Sequence, residues 1–352
     1  MTRSGFSIRS VPLLAYSGVR SVNYTLQFTA LNSFAKFLPW AKPKAPKPNL
    51  SVRLTARKAL LEILRSDVTN IERGYYPASV LWPESPMEHV KRIPAIIGEG
   101  FSIYRRRWKG RTTQFDRKAH EFLDRVQRYY RRNFHFQTDG YLSARSARLY
   151  EHQVELLFNG AADAMRRLVI PPMKKAFRSS DGEGLTFLEI GAGTGRTTRF
   201  VHQAFPKAKI IATDLSEPYL KEAEKKLMRY PHIDYVQADG AKLPFQDGIF
   251  DAVYSVFLFH ELPLDARKAV IAGSCRVLKK GGFFGYVDSL QKGDVPEFDE
   301  LLAGFPVDFH EPFYRNYTEH SMQTLLRAAK LKHLQEGHGF MSKVGWAKKG
   351  TA

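Results

Sequence analysis

Cysteine occurs once in 352 residues, as Cys275, so the chain has no internal disulfide framework and suits a reducing compartment. That thiol falls in a stretch that reads as helix, Leu264 to Leu278, where a small packing residue is expected rather than a nucleophile. No run of roughly 18 apolar residues exists, so no segment reads as a membrane span. An uninterrupted apolar core of about 7–15 residues is also missing near the N-terminus, which argues against a secretory signal. Acidic side chains are absent from residues 1–61, although the whole chain carries 35. What is present, 43% hydrophobic residues, is enough for a sizeable core and a soluble fold of more than one part.

Charge is divided unevenly. Residues 1–180 hold 32 Lys and Arg against 13 Asp and Glu, whereas residues 181–352 hold 22 of each. The net charge of +19 therefore belongs to the N-terminal half. A basic half beside a neutral one points to an anionic partner, either a phospholipid surface or nucleic acid; the alternative is solvated helix faces with scattered ion pairs. Residues 1–50 read as a basic segment ending in a stiff Lys42–Pro48 linker. They suit a transit peptide, an amphipathic anchor (Leu26, Phe28, Leu31, Phe34, Phe37 and Leu38, with Lys36 near the surface) or disorder. Residues 51–148 read as a mainly helical extension. Leu54, Ala59, Leu60, Ile63 and Leu64 form one apolar stripe, and Phe115 to Tyr130 reads as another helix. Arginine interleaves with aromatics at Arg105–Arg111 and Arg128–Arg132, which suits phosphate pairing and stacking.

Residues 185–190 form a short apolar run that ends in Gly191-Ala192-Gly193-Thr194-Gly195 and opens a helical pattern, Arg196 to Phe205. A strand that turns through glycines into a helix lets backbone approach a ligand and offers it unpaired N–H groups. A second apolar run ends in Asp214, at the tip of the neighbouring strand, where a ribose diol would lie. Gly195 is followed by Arg196 and Thr197, so the Lys-Ser/Thr ending of a Walker phosphate loop is missing. The third glycine comes one residue early for the dinucleotide fingerprint, and Glu189 would repel a pyrophosphate. A ligand with an ammonium group and no phosphate tolerates that carboxylate; S-adenosylmethionine is one.

Further elements follow in order: the strand Tyr235 to Asp239, Gly240 to Phe245, the strand Phe250 to Phe257, the helix Leu264 to Leu278, Lys279-Lys280-Gly281-Gly282 and the strand Phe283 to Val287. With these motifs the chain resembles the class I S-adenosylmethionine-dependent methyltransferases over roughly Leu149 to Lys349, and residues 149–352 read as that domain. The quinone- and small-molecule-methylating branch is the nearest in pattern, through Leu243-Pro244-Phe245 and Phe250-Asp251. The resemblance implies an α/β fold, a doubly wound, mostly parallel seven-stranded sheet, with the basic helical part as an N-terminal extension. It implies S-adenosylmethionine as cofactor. Gly191, Ala192, Gly193 and Gly195 would pack on its methionine–ribose part, with Glu189 at the methionine end. Asp214 would hold the ribose, Leu215 the adenine face, Asp239 the adenine amino group and Gly240 or Ala241 the ring edge. Phe257 would border the methionine side.

For the acceptor side, His260-Glu261 follows the fourth strand, where this family places substrate-facing groups, and His260 reads as a base suited to proton transfer near neutral pH. The segment Asn133 to Ser143 resembles a lid, which makes His135, Phe136 and Tyr141 candidates to face the substrate. His310, Tyr314 and Tyr317 lie in another substrate-facing insertion. No metal ligands are assigned. The fourth strand lacks the Asn/Asp-Pro-Pro-Tyr/Phe ending of amide and adenine methylation, so a small, lipophilic acceptor met at a membrane surface is expected. An RNA or ribonucleoprotein substrate and a non-catalytic cofactor-fold scaffold are the alternatives. A cytoplasmic location fits, peripheral on a membrane, or an organelle if residues 1–40 are a transit peptide.

Overall fold

The apolar runs of the second half become one sheet: β1 (Thr186–Ile190), β2 (Lys209–Asp214), β3 (Ile233–Gln237), β4 (Phe250–Val256), β5 (Leu278–Ser289), β6 (Leu331–Gly339) and β7 (Ser342–Lys349). The computed structural model describes residues 10–35, 37, 48–82, 86–178 and 180–351. Apart from Pro48, the expected linker Lys42–Pro48 lies outside these residues, as do Lys36 and Leu38 of the expected anchor. The strand order is β3-β2-β1-β4-β5-β7-β6. β1 to β5 pair in parallel, while β7 runs antiparallel to both β5 and β6. The chain leaves β1 for β2 on one side and returns to β4 on the other. This reversal opens a crevice beyond the carboxyl ends of β1 and β4, where ligands of such sheets bind.

The inner strands β1 and β4, covered on both faces, are buried nearly throughout, which explains their continuous apolar runs, while β3 at the edge has no fully buried residue. Alternate side chains divide between two cores. Phe187, Ile210, Ala252, Tyr254 and Phe283 face one side with Phe200 and Val201 of α8 (Arg196–Ala204). Leu188, Val253 and Phe284 face the other, with Val270 and Ile271 of α10 (Leu264–Val277). Between them, α9 (Glu217–Leu227) links β2 to β3.

The N-terminal half completes this body. Helices α1 (Val11–Ala35), α2 (Leu50–Glu72), α3 (Pro86–Lys109) and α4 (Arg117–Leu123) precede α5 (Ala144–Leu157), α6 (Ala162–Arg166) and α7 (Ile170–Ala176). Tyr76, Val80 and Leu81, which follow α2, enter the first sheet core. The buried pair Arg167–Asp67 ties α2 to the sheet side, Nε to Oδ1 at 2.8 Å and Nη2 to Oδ2 at 2.6 Å. The stretch from α5 to α7 is not one continuous helix. Asn159 and Gly160 take positive φ of 51° and 78°, and the Pro171-Pro172 pair opens α7. The helix expected over Phe115–Tyr130 is likewise only α4 followed by turns.

In α1 the buried positions are polar or aromatic, Ser17, Ser21 and Tyr24, while Val11, Val19, Val22 and Leu26 face outward. Arg20 fixes the helix by ion pairs with Glu155 and Asp163, both at 2.8 Å. Over Val11–Ala35 the segment is a helix docked on α5 and α6. No helix among the described residues is long and apolar enough to cross a membrane.

Candidate active site

Three left-handed glycines shape the floor of the crevice: Gly191, Gly193 and Gly195 have φ of 73°, 57° and 79°. The amides of Gly191 and Ala192 donate to the Thr213 carbonyl, each at 2.9 Å, which locks the loop to the end of β2. Gly193 N–H donates to Asp214 Oδ2 and Ser216 N–H to Oδ1, both at 2.8 Å. Burial pushes the Asp214 carboxyl up to about 6, against the hydrogen bonds from Ser216 and Gly193.

Above this floor lies a cleft of about 890 Å³. Gly191, Ala192, Gly193, Asp214, Leu215, Asp239, Gly240 and Phe257, all expected around a cofactor, line it. Three others do not. Gly195 caps α8, where a Cβ would meet Leu227 Cδ1 at 2.7 Å; its role is helix packing. Ala241 gives its amide to Asp239 Oδ1 at 2.9 Å and is absent from the lining. Glu189, expected at the methionine end, is buried away from the cleft, where Thr198 Oγ1 (2.6 Å) and Tyr254 Oη (3.0 Å) donate to its Oε2. With both partners neutral, burial raises its carboxyl to about 8.

The residues present fit S-adenosylmethionine. At Gly193 a Cβ would meet only Tyr219 Cδ1, at 4.0 Å, so any side chain there would fill the cleft. Asp214, Asp239 and Glu261 give the lining an acidic set suited to a cationic ligand with a ribose. The lining cations Arg166 and Arg196 are held by Asp163, at 3.2 and 2.5 Å, and so are not free for a phosphate. Sequence reasoning missed the aromatic wall of Tyr129, Tyr130, Tyr150 and Tyr219. The expected lid supplies Tyr141 to it, and the Tyr141 carbonyl accepts from Ser216 Oγ at 2.6 Å.

A second cavity of about 620 Å³ adjoins the first and shares Tyr150, Phe257 and Glu261 with it. Leu157, Phe158, Leu301, Leu302, Phe305 and Met341 make most of its wall apolar. His135, His260, Glu261, Ser289 and Tyr314 form a polar patch in that wall. Phe257, stacked on Phe158 with φ of 57°, stands between the two spaces.

The four residues expected to act on the acceptor come together here. Tyr141 donates to Glu261 Oε1, and His135 Nε2 lies 3.7 Å from the same oxygen. Asp288, which no motif singled out, accepts from His260 Nδ1 at 2.6 Å and from the amides of Leu258 and Phe259. Burial lowers the His260 pKa, but Asp288, Glu261 and Glu311 outweigh it and lift the imidazole to about 9. Among these carboxylates the protonated imidazole is favoured, which works against the expected role of a neutral base near pH 7. His135 is raised in the same way, with burial overcome by Glu311 and Glu261. Of the remaining candidates, Tyr314 lines the second cavity and donates to or accepts from Ser289 Oγ at 2.6 Å. Phe136 packs on His310, and Tyr317 donates to the Ser289 carbonyl inside the core; none of these three lines either cavity.

Residues 187–282 match the family described as "Methyltransferase domain". Among similar proteins, a fatty-acid O-methyltransferase of Mycolicibacterium smegmatis is 31% identical over 147 residues, 42% of this chain and 52% of that protein. A phthiotriol/phenolphthiotriol dimycocerosates methyltransferase of Mycobacterium tuberculosis is 29% identical over 147 residues, covering 42% and 53%. A ubiquinone/menaquinone biosynthesis C-methyltransferase of Desulfotalea psychrophila is 30% identical over 133 residues, covering 38% and 50%. The chain thus spans about half the length of the curated relatives it matches. With the glycine loop, the Asp214 strand end and the seven-stranded order in place, the second half of this chain has the fold of the class I methyltransferases and carries the methyltransferase-domain match over residues 187–282.

Proposed function

We propose that the protein transfers a methyl group from S-adenosylmethionine to a small lipophilic acceptor. The observation that carries this reading is the apolar cavity joined to the cofactor cleft at Tyr150, Phe257 and Glu261. The named relatives act on fatty acids, phthiotriols and quinones, which agrees with an acceptor of that kind. When bound, the cofactor supplies an already activated methyl group on its sulfonium, so the chain's own task is mostly orientation. Leu302, Phe305 and Met341 would hold the acceptor's apolar body and exclude water. Glu261, common to both cavities and held by Tyr141, is the group placed to take a proton from an acceptor hydroxyl; His260, held by Asp288, orients the same polar end.

Labelled S-adenosylmethionine, incubated with the full chain and a panel of long-chain acids, alcohols and hydroquinones, tests the reading. Label should pass into the organic phase, and Leu302→Trp should suppress transfer while leaving calorimetric cofactor binding intact. Cofactor binding without transfer to any lipophilic acceptor refutes the acceptor class, and absence of binding refutes the cofactor as well.

A membrane-surface role has a separate observation behind it. Val11, Val19, Val22 and Leu26 present an outward apolar face on α1, in the half that carries the net charge of +19. We propose that this face docks on anionic lipid. Full-length protein should sediment with anionic vesicles and lose that binding in salt or with Val19→Glu and Leu26→Glu together. Indifference to vesicles combined with salt-steep RNA binding would transfer the basic half to nucleic acid.

A further inference from the structure

We propose that His135, Glu261 and Glu311 form a divalent-cation site at the junction of the two cavities. One donor atom from each residue lies within 4.8 Å of the other two, although 50 residues separate Glu261 from Glu311 and 126 separate His135 from Glu261. The three arrive from different places: His135 from the lid segment, Glu261 from the turn after β4, and Glu311 from the loop after α11 (Asp299–Phe309).

The two carboxylates flank the imidazole: His135 Nδ1 lies 3.2 Å from Glu311 Oε1, and His135 Nε2, on the other edge of the ring, lies 3.7 Å from Glu261 Oε1. An ion would take one of these nitrogens only. Ligands about 2.0–2.2 Å from a metal sit roughly 3–3.5 Å from each other. A turn of the His135 ring or of one carboxylate, drawing donors now within 4.8 Å of one another closer, separates this arrangement from a coordination shell.

An independent observation points to a ligand. The Glu311 side chain is fully buried, and neither of its oxygens accepts a hydrogen bond. A carboxylate without donors is costly to bury in its ionised form: burial raises Glu311 to about 7, and a cation bound there is what would let it ionise. Among the described residues the ion-pair partners of Glu261 and Glu311 are His135 and His260 alone, with no Lys or Arg.

The surroundings resemble the outer shell of a metal site. His260 gives Nδ1 to Asp288 at 2.6 Å, which leaves Nε2 facing Glu261 Oε1 at 3.9 Å. A carboxylate that pins one imidazole nitrogen so that the other can ligate is the usual second-shell arrangement, and His260 would join as a fourth ligand only on giving up its Nε2 proton to the arriving ion. A mixed imidazole and carboxylate set favours Zn²⁺ or Mn²⁺ over Mg²⁺. Glu261 and His135 both line the acceptor cavity, so the ion would meet the polar end of an acceptor. That last use rests on the acceptor reading above, whereas metal binding itself does not.

The test needs neither cofactor nor acceptor. Full-length protein, dialysed against chelator, is titrated calorimetrically with Zn²⁺, Mn²⁺ and Mg²⁺. The expected result is one equivalent of Zn²⁺ or Mn²⁺ bound, Mg²⁺ bound far more weakly, and a loss of tenfold or more in Glu311→Gln and in His135→Gln. Thermal unfolding of each metal-free variant reports whether it is folded. Cobalt(II) added to the unmutated protein gives a reading that does not depend on variants, since nitrogen and carboxylate ligands intensify and shift its visible absorption. No stoichiometric binding, affinity unchanged in both variants, or a cobalt spectrum identical to the aquo ion would each overturn the site.

Discussion

Glu189 offers the sharpest quantitative test of how the glycine-loop region is held. Its carboxyl is buried beneath the loop, bonded only by the hydroxyls of Thr198 and Tyr254, and burial raises it from 4.5 to about 8. In the unfolded chain the same group ionises near its ordinary value. Below that value both states hold the proton and the group is neutral in the balance. Between the unfolded and folded values the unfolded chain has released its proton and the folded one has not, so stability falls as pH rises. Each pH unit in that window costs about 1.4 kcal/mol. Glu189→Gln keeps an oxygen for Thr198 and Tyr254 and cannot titrate. Any fixed packing difference cancels when the two proteins are compared across pH. From pH 5 to pH 7.5 the variant should therefore gain about 3 kcal/mol on the unmutated protein, an order-of-magnitude figure for a buried group. Urea unfolding curves at several pH values, with m checked for constancy, measure the gap. Parallel stability curves for the two proteins would show that Glu189 is ionised in the fold and would refute the reasoning.

Three further outcomes follow from the geometry. Asp214→Ala should weaken S-adenosylmethionine binding by about 1–3 kcal/mol in calorimetry, because the Gly193 and Ser216 amides lose their acceptor along with the ligand; undiminished affinity removes Asp214 from the site. Asp67→Ala should destabilise the fold by about 3–5 kcal/mol in urea, since it leaves the Arg167 guanidinium buried without its bidentate partner and strips Tyr76 of its acceptor. Gly195→Ala should cost about 1–2 kcal/mol for its left-handed backbone alone, with a further loss from the contact on Leu227, and a thermal midpoint equal to that of the parent would contradict both.

The cofactor side was legible because its information is local. The glycines, Asp214 and Asp239 sit at strand ends, and a strand end fixes where a side chain points once the sheet order is known. Glu189 was misplaced for the same reason it was noticed. It stands one residue before the last of β1, and alternation along the strand turns it beneath the loop rather than into the cleft. The aromatic wall was not legible, since Tyr129, Tyr150 and Tyr219 come from separate segments and look like ordinary packing residues. Asp288 and Glu311 were hidden by distance along the chain.

Arg20 reaches from α1 to Asp163, and Asp163 also holds Arg196 on the wall of the cleft. One buried carboxylate is therefore shared between the N-terminal helix and the cofactor cradle. Filling the cleft and seating the helix draw on the same two oxygens, and any coupling between them is equal in both directions. A ligand that tightens Arg196 on Asp163 changes how firmly Arg20 holds α1, and amide hydrogen exchange along Val11–Ala35 is where that change becomes visible. Trimming the chain at its N-terminus would then take away more than a tail. It would remove one of the three arginines gathered around Asp163, and the loss would be felt at the wall of the cleft.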